Sequence, residues 1–374
     1  MNVIIKKIIV FIYTLRIRII VNKKISGIQK SIPDEINISK NNILKHRELW
    51  RRLNSNPNLN WYKVFASVNG IDDPRYITEY DYYVHVEPCL NHKTFCEAYS
   101  DKNFYHRIIC GNLLPKVYYR LINGVLYDQD YKRISSDSHF GERIANDENK
   151  IIIKKSFDTG GGRGVSLAER IGSEWVENHE RKIDWFYLRK VFNHNFVVQE
   201  YIEQHPFFSR FNESSVNTIR IFTYRSVKNN EIIPLQSVLR IGQSGSIVDN
   251  QASGGISCGI NRDGLLNSFA VSKYGKKILS HNGVLFSQVG LVYKFNEIIS
   301  TAKQIASDYH YHRLIGFDFC VDKNSDIKLI EINIKNNEIN FYQMNNGPLF
   351  GEYTNEVIDF CAGNRKTWCF DFDL

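Results

Sequence analysis

The order of apolar and polar residues along the chain predicts a mixture of helices and short strands. Helices are expected over 43–53, 101–110, 295–310 and 353–361, with Asp101 as the N-cap of the second. Runs rich in β-branched and aromatic residues predict strands over 114–120, 151–155, 196–202, 217–222 and 237–241. An Asn123-Gly124 turn follows the first of these strands. The pattern as a whole predicts an α+β protein.

The stretch 316–333, GFDFCVDKNSDIKLIEIN, reads as two strands joined by a polar turn at 322–326. Alternation along the second strand points Glu331 and Asn333 to the same face, while Asp318 lies on the first strand. Three oxygen donors on one side of a hairpin suit a hard divalent cation such as Mg²⁺. The polar edge of an ordinary hairpin would explain the same residues, and the hairpin taken alone leaves both interpretations open.

A glycine-rich loop follows the strand that ends in Lys154. The loop, TGGGRGV at 159–165, lies between two β-type segments, so its backbone N–H groups can approach phosphate oxygens closely. Lys154 would add a positive charge beside it. No Gly-Lys-Ser/Thr follows the loop and it does not open a helix, which excludes the Walker and dinucleotide-binding fingerprints. A flexible turn remains the alternative.

Three further strands carry candidate ligand contacts. The strand at 196–202 runs into a hinge that can hold an adenine, with Glu200 or Glu203 near the ribose; a core strand with a charged end is the alternative. Arg220 and Arg240 each lie inside an apolar strand and need a partner there. A ligand phosphate or carboxylate would serve, and so would a salt bridge to a neighbouring acid.

Length and composition limit the class of protein. A chain of 374 residues, with 43% hydrophobic and 24% charged residues, is globular and long enough for two or three subdomains. The formal charge of +8 fits several anionic partners without choosing among them. Seven cysteines without a CxxC pair predict a reducing, cytoplasmic setting. The histidines, including His85, His194 and His205, show no metal-ligand spacing.

The N-terminal stretch combines isoleucines with lysines and arginines. Its longest apolar run, 8–15, is too short to span a membrane and is followed by charges rather than a cleavage site. Residues 1–24 would suit a helix lying on an anionic membrane. A basic first helix packed on its own domain is equally compatible with the sequence. A linker is expected at 33–42.

The order of these motifs resembles the ATP-grasp superfamily, and more narrowly the sugar-transfer-associated ATP-grasp proteins of bacterial polysaccharide biosynthesis. The resemblance covers about 76–360. It is carried by DKN at 101–103, KKSFDTGGGRGV at 154–165, VVQEYIEQHP at 197–206, NTIRIFT at 217–223, LRIGQSGSIVDNQASGG at 239–255, GFDF at 316–319 and LIEIN at 329–333.

The resemblance implies two α+β subdomains that clasp ATP, preceded by a smaller α/β region. On this basis we expect a basic segment and linker at 1–40, an N-terminal region at 41–110, and an ATP-grasp domain at 111–374. The flap subdomain would occupy about 111–200 of that domain, and the metal and substrate subdomain about 201–374.

Site residues follow from the same resemblance, position by position. The implied nucleotide contacts are Lys102, Lys154, Gly161, Gly162, Gly164, Gln199, Glu200 and Ile202. Asp318, Glu331 and Asn333 match the Mg²⁺ ligands, with two ions expected and Mn²⁺ as a substitute. The catalytic candidates are Asn217, Arg220 and Arg240.

Two positions depart from the family pattern. Lys155 stands where proline is common after the first lysine, a change expected to affect loop stiffness only. Gly316 stands where ligases of the superfamily often have an arginine, so Arg220 or Arg240 would have to stabilise an acyl phosphate.

The resemblance implies ATP- and Mg²⁺-dependent joining of a small-molecule carboxylate to an amine or sugar substrate in the cytoplasm, through an acyl phosphate. The reaction would modify a bacterial surface polysaccharide, or its sugar precursor, with an amino acid. A soluble amino-acid or peptide ligase is one alternative, and an inactive nucleotide-binding accessory protein tethered through residues 1–24 is another. Nucleic-acid binding is not expected, because the basic residues are dispersed and no recognised module is present.

Overall fold

The computed structural model describes residues 3–32, 36–53, 56–135, 139–157, 164–178 and 180–369. Its helices are α1 Val3–Gln29, α2 Lys40–Arg51, α3 Leu59–Asn69, α4 Glu79–Asp81, α5 Glu87–Leu90, α6 Lys93–Ser100, α7 Tyr105–Ile108, α8 Trp185–Phe192, α9 Pro206–Ser209, α10 Phe295–Asp308, α11 Asn340–Asn346 and α12 Thr354–Gly363. A π-helical turn at Tyr82–Val86 joins α4 to α5. The mixed helix and sheet architecture confirms the α+β prediction.

Seven of the strands form a first antiparallel sheet. They are β1 Val117–Ile122, β2 Val125–Tyr127, β3 Lys150–Lys155, β4 Val165–Ile171, β5 Glu174–Glu177, β6 Arg181–Lys182 and β7 Phe196–Glu200. Their order across the sheet is β2-β1-β7-β3-β4-β5-β6. A core that includes Tyr119, Ile153, Leu188 and Phe196 joins α8 to this sheet. The β-branched run at 151–153 forms a strand, as predicted, and this strand lies at the centre of the sheet.

A second antiparallel sheet contains the arginine strands and the acidic hairpin. Its strands are β8 Thr218–Arg225, β9 Ile232–Ile241, β10 Ile256–Ile260, β11 Leu266–Ser272, β12 Lys277–Ile278, β15 Leu314–Val321 and β16 Ile327–Asn333. A separate small hairpin pairs β13 Ser280–His281 with β14 Val284–Leu285. The order of the large sheet is β12-β11-β10-β9-β8-β15-β16. The sheet has a buried layer on each face, with α10 in one core and α12 in the other.

The predicted hairpin is confirmed as β15 and β16. All eight residues of β15 are buried, because this strand lies between β8 and β16 with cores on both faces. Asp322 closes the connecting turn by accepting hydrogen bonds from the N–H groups of Asn324 and Asp326 at 2.9 and 2.8 Å. Ser325 takes a positive φ of 69° in the turn.

The region before β1 differs from its prediction. It was expected to be α/β, yet its described residues from Lys40 to Ile108 form helices α2 to α7 and contribute only an isolated bridge, between Asn91 and His312. Asp101 is also not the N-cap of a long helix. It ends α6, and its side chain accepts the N–H of Asn103 at 2.8 Å. This local turn competes with the helix, a common behaviour of aspartate.

Helix α1 spans most of the basic N-terminal stretch. Its last third packs on the body of the protein through Val21, Ile25 and Ile28, which contact α3. Within the described residues, no helix is both long enough and apolar enough to cross a membrane.

Candidate active site

A cavity of about 640 Å³ lies between the two large sheets. Strands β3 and β7 supply lining residues from the first sheet, and β8, β9, β15 and β16 supply them from the second. Ten of the residues singled out in the sequence line it together: Lys102, Lys154, Gln199, Glu200, Ile202, Arg220, Arg240, Asp318, Glu331 and Asn333. Residues far apart in the chain thus share one cavity.

Two arginines and two aspartates form a buried cluster at the base of the cavity. Arg220 on β8 is the cross-strand neighbour of Asp318 on β15, and its Nε donates to the carboxylate at 2.5 Å while Nη2 donates to the other oxygen. Arg240 donates to Asp318 at 3.1 Å and is also ion-paired to Asp249 at 3.1 Å. The arginine partners are therefore acids within the chain, one of the two solutions the sequence left open.

The cluster shifts the pKa values of its acids in opposite directions. Burial alone would raise the pKa of Asp318, but the charges of Arg220 and Arg240 outweigh it and hold this pKa below its usual range. The pKa of Asp249 is raised, because burial outweighs the attraction of Arg240. Asp318 is thus an anion at neutral pH and is available to a cation only in competition with two guanidinium groups.

The three candidate metal ligands lie on one side of the hairpin. Asp318 and Glu331 are cross-strand partners, and the amide nitrogen of Asn333 lies 3.5 Å from a carboxylate oxygen of Asp318. Two carboxylates and one amide oxygen fit Mg²⁺, which prefers oxygen ligands and retains several waters. In the described ranges no group of three or more His, Cys, Asp and Glu residues is arranged to hold a metal ion, so any Mg²⁺ here depends on Asn333, water or a ligand to complete its shell.

Lys102 and Lys154 add positive charge to the cavity beside the two arginines. Lys102 donates its side chain to Glu331 at 2.7 Å, and its backbone N–H donates to the carbonyl oxygen of Ser156 at 2.9 Å. That backbone bond ties the 101–103 turn to the end of β3, beside Lys154. Burial, with a smaller contribution from the nearby charge of Lys102, lowers the pKa of Lys154 to about 8. A desolvated ammonium group of this kind gains most from an anionic ligand.

The candidate adenine hinge lies at the end of β7. Gln199, Glu200 and Ile202 all line the cavity. Glu200 already accepts the backbone N–H of Lys116 at 2.9 Å, and its own N–H donates to the carbonyl oxygen of Lys116 at 2.9 Å. These two hydrogen bonds between Glu200 and Lys116 fix the hinge in place without a ligand.

The glycine-rich loop at 159–165, which the family resemblance implies is a mobile flap, is described only at its C-terminal end. Gly161 and Gly162 lie outside the described residues. Gly164 has φ of 79°, and its carbonyl oxygen accepts the N–H of Lys155 at 3.0 Å. The positive φ explains why glycine is needed at this last position.

Asn217, a catalytic candidate from the sequence, does not line the cavity. Its amide nitrogen donates to the carbonyl oxygens of Phe208 and Asn212 at 2.9 and 2.8 Å, and its oxygen accepts the N–H of Gly242 at 3.3 Å. The side chain is fully buried. These bonds hold the loop before β8 in place, so the structure gives Asn217 a structural role.

Two parts of the cavity were not predicted as site residues. In the sequence Asp249 stood out only as part of the motif at 239–255, and its ion pair with Arg240 can be recognised only in the fold. The loop 335–338 also lines the cavity, and it is held by Glu87, which accepts the N–H groups of Asn336 and Asn337 at 3.1 and 3.0 Å. Burial raises the pKa of Glu87 to about 7. Glu87 lies 249 residues from this loop, so no local signal could have identified it.

The chain is similar to one protein family and, more distantly, to several solved structures. The family model for sugar-transfer associated ATP-grasp proteins matches residues 83–357. No curated protein matches the chain significantly. Among solved structures, N5-carboxyaminoimidazole synthetase from Staphylococcus aureus in complex with ADP is 10% identical, with a TM-score of 0.38, over 73% of this chain and 53% of that chain.

Two other similar structures come from different enzymes. Biotin carboxylase from Campylobacter jejuni is 16% identical, with a TM-score of 0.39, over 71% of this chain and 46% of that chain. D-alanyl-alanine synthetase A from Vibrio cholerae is 13% identical, with a TM-score of 0.35, over 67% and 60%. The chain spans about half the length of the solved chains it matches. The family match covers well over half of the sequence, and the chain therefore belongs to the sugar-transfer associated ATP-grasp family.

Proposed function

We propose that this protein is an ATP- and Mg²⁺-dependent ligase that joins a carboxylate to an amine through an acyl phosphate. The observation that carries the proposal is the meeting of Lys102, Lys154, Asp318 and Glu331 in one cavity between two sheets. Phosphoryl transfer depends on positioning and charge neutralisation more than on covalent help from the protein. Lysines, arginines and metal-binding oxygens are the groups that such a reaction needs.

The proposed reaction has two balanced steps. A substrate carboxylate oxygen attacks the γ-phosphorus of ATP, the bond from that phosphorus to the β,γ-bridging oxygen breaks, and ADP leaves. The amine then attacks the carbonyl carbon, inorganic phosphate leaves with the bonding pair, and the amine nitrogen loses a proton to give an amide. Water must be excluded between the steps, because it would hydrolyse the acyl phosphate.

Residues of the chain take separate roles in this scheme. Lys154 and Lys102 hold the nucleotide phosphates, and Gln199, Glu200 and Ile202 hold the base. Asp318, Glu331 and Asn333 would hold Mg²⁺, which supplies positive charge to the phosphate oxygens when bound. Arg220 and Arg240 are equal candidates for the acyl phosphate, because each already uses two nitrogens on acids of the buried cluster.

The substrate class comes from the family. Its polysaccharide context supports an amino acid or similar acid as the carboxylate and an amino sugar of a surface glycan, or its precursor, as the amine. The lining of the cavity contains both signs of charge, and Glu97, Lys335 and Glu338 are among the residues that form it. A zwitterionic substrate would fit such a lining.

A substitution at Glu331 tests whether this residue binds Mg²⁺ beside the nucleotide. Glu331→Gln keeps the shape of the side chain but weakens both its metal affinity and its ion pair with Lys102. We expect the affinity for ATP in the presence of Mg²⁺ to fall by about tenfold, and Mg²⁺-dependent ADP release to fall with it. Titration calorimetry with ATP, with and without Mg²⁺, measures the first effect.

The matched control is Glu352→Gln. Glu352 forms an exposed ion pair with Arg262 and does not line this cavity, so the same chemical change should leave ATP affinity as it is. Equal losses in both variants would remove Glu331 from the metal site. Tight ATP binding without ADP release for any paired carboxylate and amine would reject the ligase and favour the accessory protein.

A further inference from the structure

Helix α1 has two apolar faces, and only one of them is covered. Val21, Ile25 and Ile28 are buried against α3 in a cluster that includes Trp61 and Phe65. Nothing in the described residues covers the other face. An amphipathic surface helix normally has a single apolar stripe that faces its own core, so the second stripe needs another explanation.

The uncovered stripe is continuous over about three turns. It consists of Ile8, Phe11, Ile12, Leu15 and Ile19, whose side chains are between 43% and 64% exposed. With a rotation of about 100° per residue, these five positions fall within an arc of about 100°. Ile25 and Val21 project outside that arc. The stripe is therefore a surface built along one side of the helix, not a scatter of single exposed residues.

Exposed cations border the stripe on both sides. The same helical rotation places Lys7 and Arg18 along one border and Arg16 and Lys23 along the other, and all four residues are exposed. Residues 1–32 contain seven lysines and arginines and no aspartate or glutamate. A second copy of the helix would bring these cations together, which opposes self-association through this face.

We propose that α1 lies in the interface of an anionic lipid bilayer, with the uncovered stripe in the acyl boundary and the bordering cations at the headgroups. An apolar stripe between two rows of lysine and arginine is the arrangement that such helices use. Anionic lipid adds attraction for each cation near the surface. The inference is independent of the proposed reaction.

Contacts at the other end of α1 fix the helix to the protein body. Lys24 donates to Glu79 at 2.7 Å and to Glu338 at 3.2 Å, and Arg18 lies over the ring of Tyr80 with its carbon 4.7 Å from the centroid. Glu338 lines the cavity. Lys24 follows Ile12 by about 18 Å along the helix axis, at 1.5 Å per residue. A bilayer that binds the stripe is therefore held near the loop at the edge of the cavity.

Vesicle binding by the full chain tests the proposal. We expect the protein to sediment with vesicles of phosphatidylcholine and phosphatidylglycerol, and much less with phosphatidylcholine alone. The double variant Ile8→Asp/Ile19→Asp changes two side chains that are 51% and 61% exposed, so it should fold normally. Its partition onto anionic vesicles should fall by at least about tenfold. Added salt should weaken the binding of the unaltered protein.

The control carries the same charge change at equally exposed positions elsewhere. Leu279→Asp/Leu291→Asp alters side chains that are 64% and 65% exposed, and it should bind vesicles as the unaltered protein does. Absence of vesicle binding by the unaltered protein would overturn the proposal, as would equal losses in both double variants. A lipid-independent dimer that only the α1 variant abolishes would overturn it in favour of a second copy of the chain.

Discussion

Replacing Lys154 with methionine is expected to weaken ATP binding by about 10- to 150-fold. Lys154 is half-buried near the end of β3, and its ammonium group is charged only in part near pH 8, so a phosphate that pairs with it would gain a strong charge-assisted contact. Hydrogen bonds to charged groups contribute about 1.5–3 kcal/mol. Lys154→Met keeps the length of the stem but removes that contact. Titration calorimetry with ATP measures the change.

The pH dependence of binding identifies the lysine itself. Because phosphate binds the protonated form, the affinity for ATP should fall as the pH rises through about 8. The slope should approach about tenfold per pH unit until the pKa of the bound state is reached. In Lys154→Met this slope should be absent between about pH 7 and 9.5. That range includes the pKa of Lys154 in the free protein and stays below the pKa of an ordinary lysine.

Lys150→Met is the control for this prediction. Lys150 is on the same strand, but it is exposed and is ion-paired to Glu169 at 3.1 Å. Its replacement should change neither the affinity nor the pH slope. If Lys154→Met kept the slope of the unaltered protein, some other group would be the one that titrates, and Lys154 would lose its assigned role.

Local sequence patterns predicted the strands and the acidic hairpin because those signals lie within a few residues. The alternation in 329–333 was enough to put Glu331 and Asn333 on one face, and β-branched runs were enough for β3 and β7. The resemblance to a family then selected residues from separate strands as one site. The resemblance does not say which of these residues contact one another.

Long-range pairing was the part that local patterns could not supply. The Arg220–Asp318 pair joins residues 98 positions apart, and the Lys102–Glu331 pair joins residues 229 apart. Asp101 was misjudged because an aspartate that caps a helix and one that closes a turn have the same local sequence. For Asn217, the position in the motif did not reveal whether the amide faces the cavity or the backbone beside it, and in the structure it contacts backbone groups.

Asp318→Ala is expected to reduce the free energy of unfolding by about 3–5 kcal/mol, the range for breaking a buried ion pair by removing one partner. Asp318 is 2% exposed and accepts hydrogen bonds from both Arg220 and Arg240. Its loss leaves Arg220 buried without an opposite charge, while Arg240 retains Asp249. Urea denaturation measures the change. Asp326→Ala, at an exposed position in the turn of the same hairpin, should change stability by less than about 0.5 kcal/mol.

The sign of the pH effect distinguishes the ion pair from a packing defect. The folded-state pKa of Asp318 is lowered, so its contribution is complete above the unfolded pKa, near about 4, and is lost as the pH falls through the folded value. The stability difference between the unaltered protein and Asp318→Ala should therefore shrink in acid. If the difference in the free energy of unfolding stays constant down to low pH, Asp318→Ala acts through packing instead of through the lost charge.

A double substitution tests whether the charge left on Arg220 is the cause. Removing both partners in Arg220→Met/Asp318→Leu replaces the pair with apolar side chains, a change that is often neutral for buried pairs. We expect this variant to unfold at a higher urea concentration than Asp318→Ala does. If the double variant is no more stable than Asp318→Ala, the destabilisation arises from Arg240 or from the space that the lost side chain leaves. Asp318 would then matter chiefly as the acid that a metal ion and two arginines share.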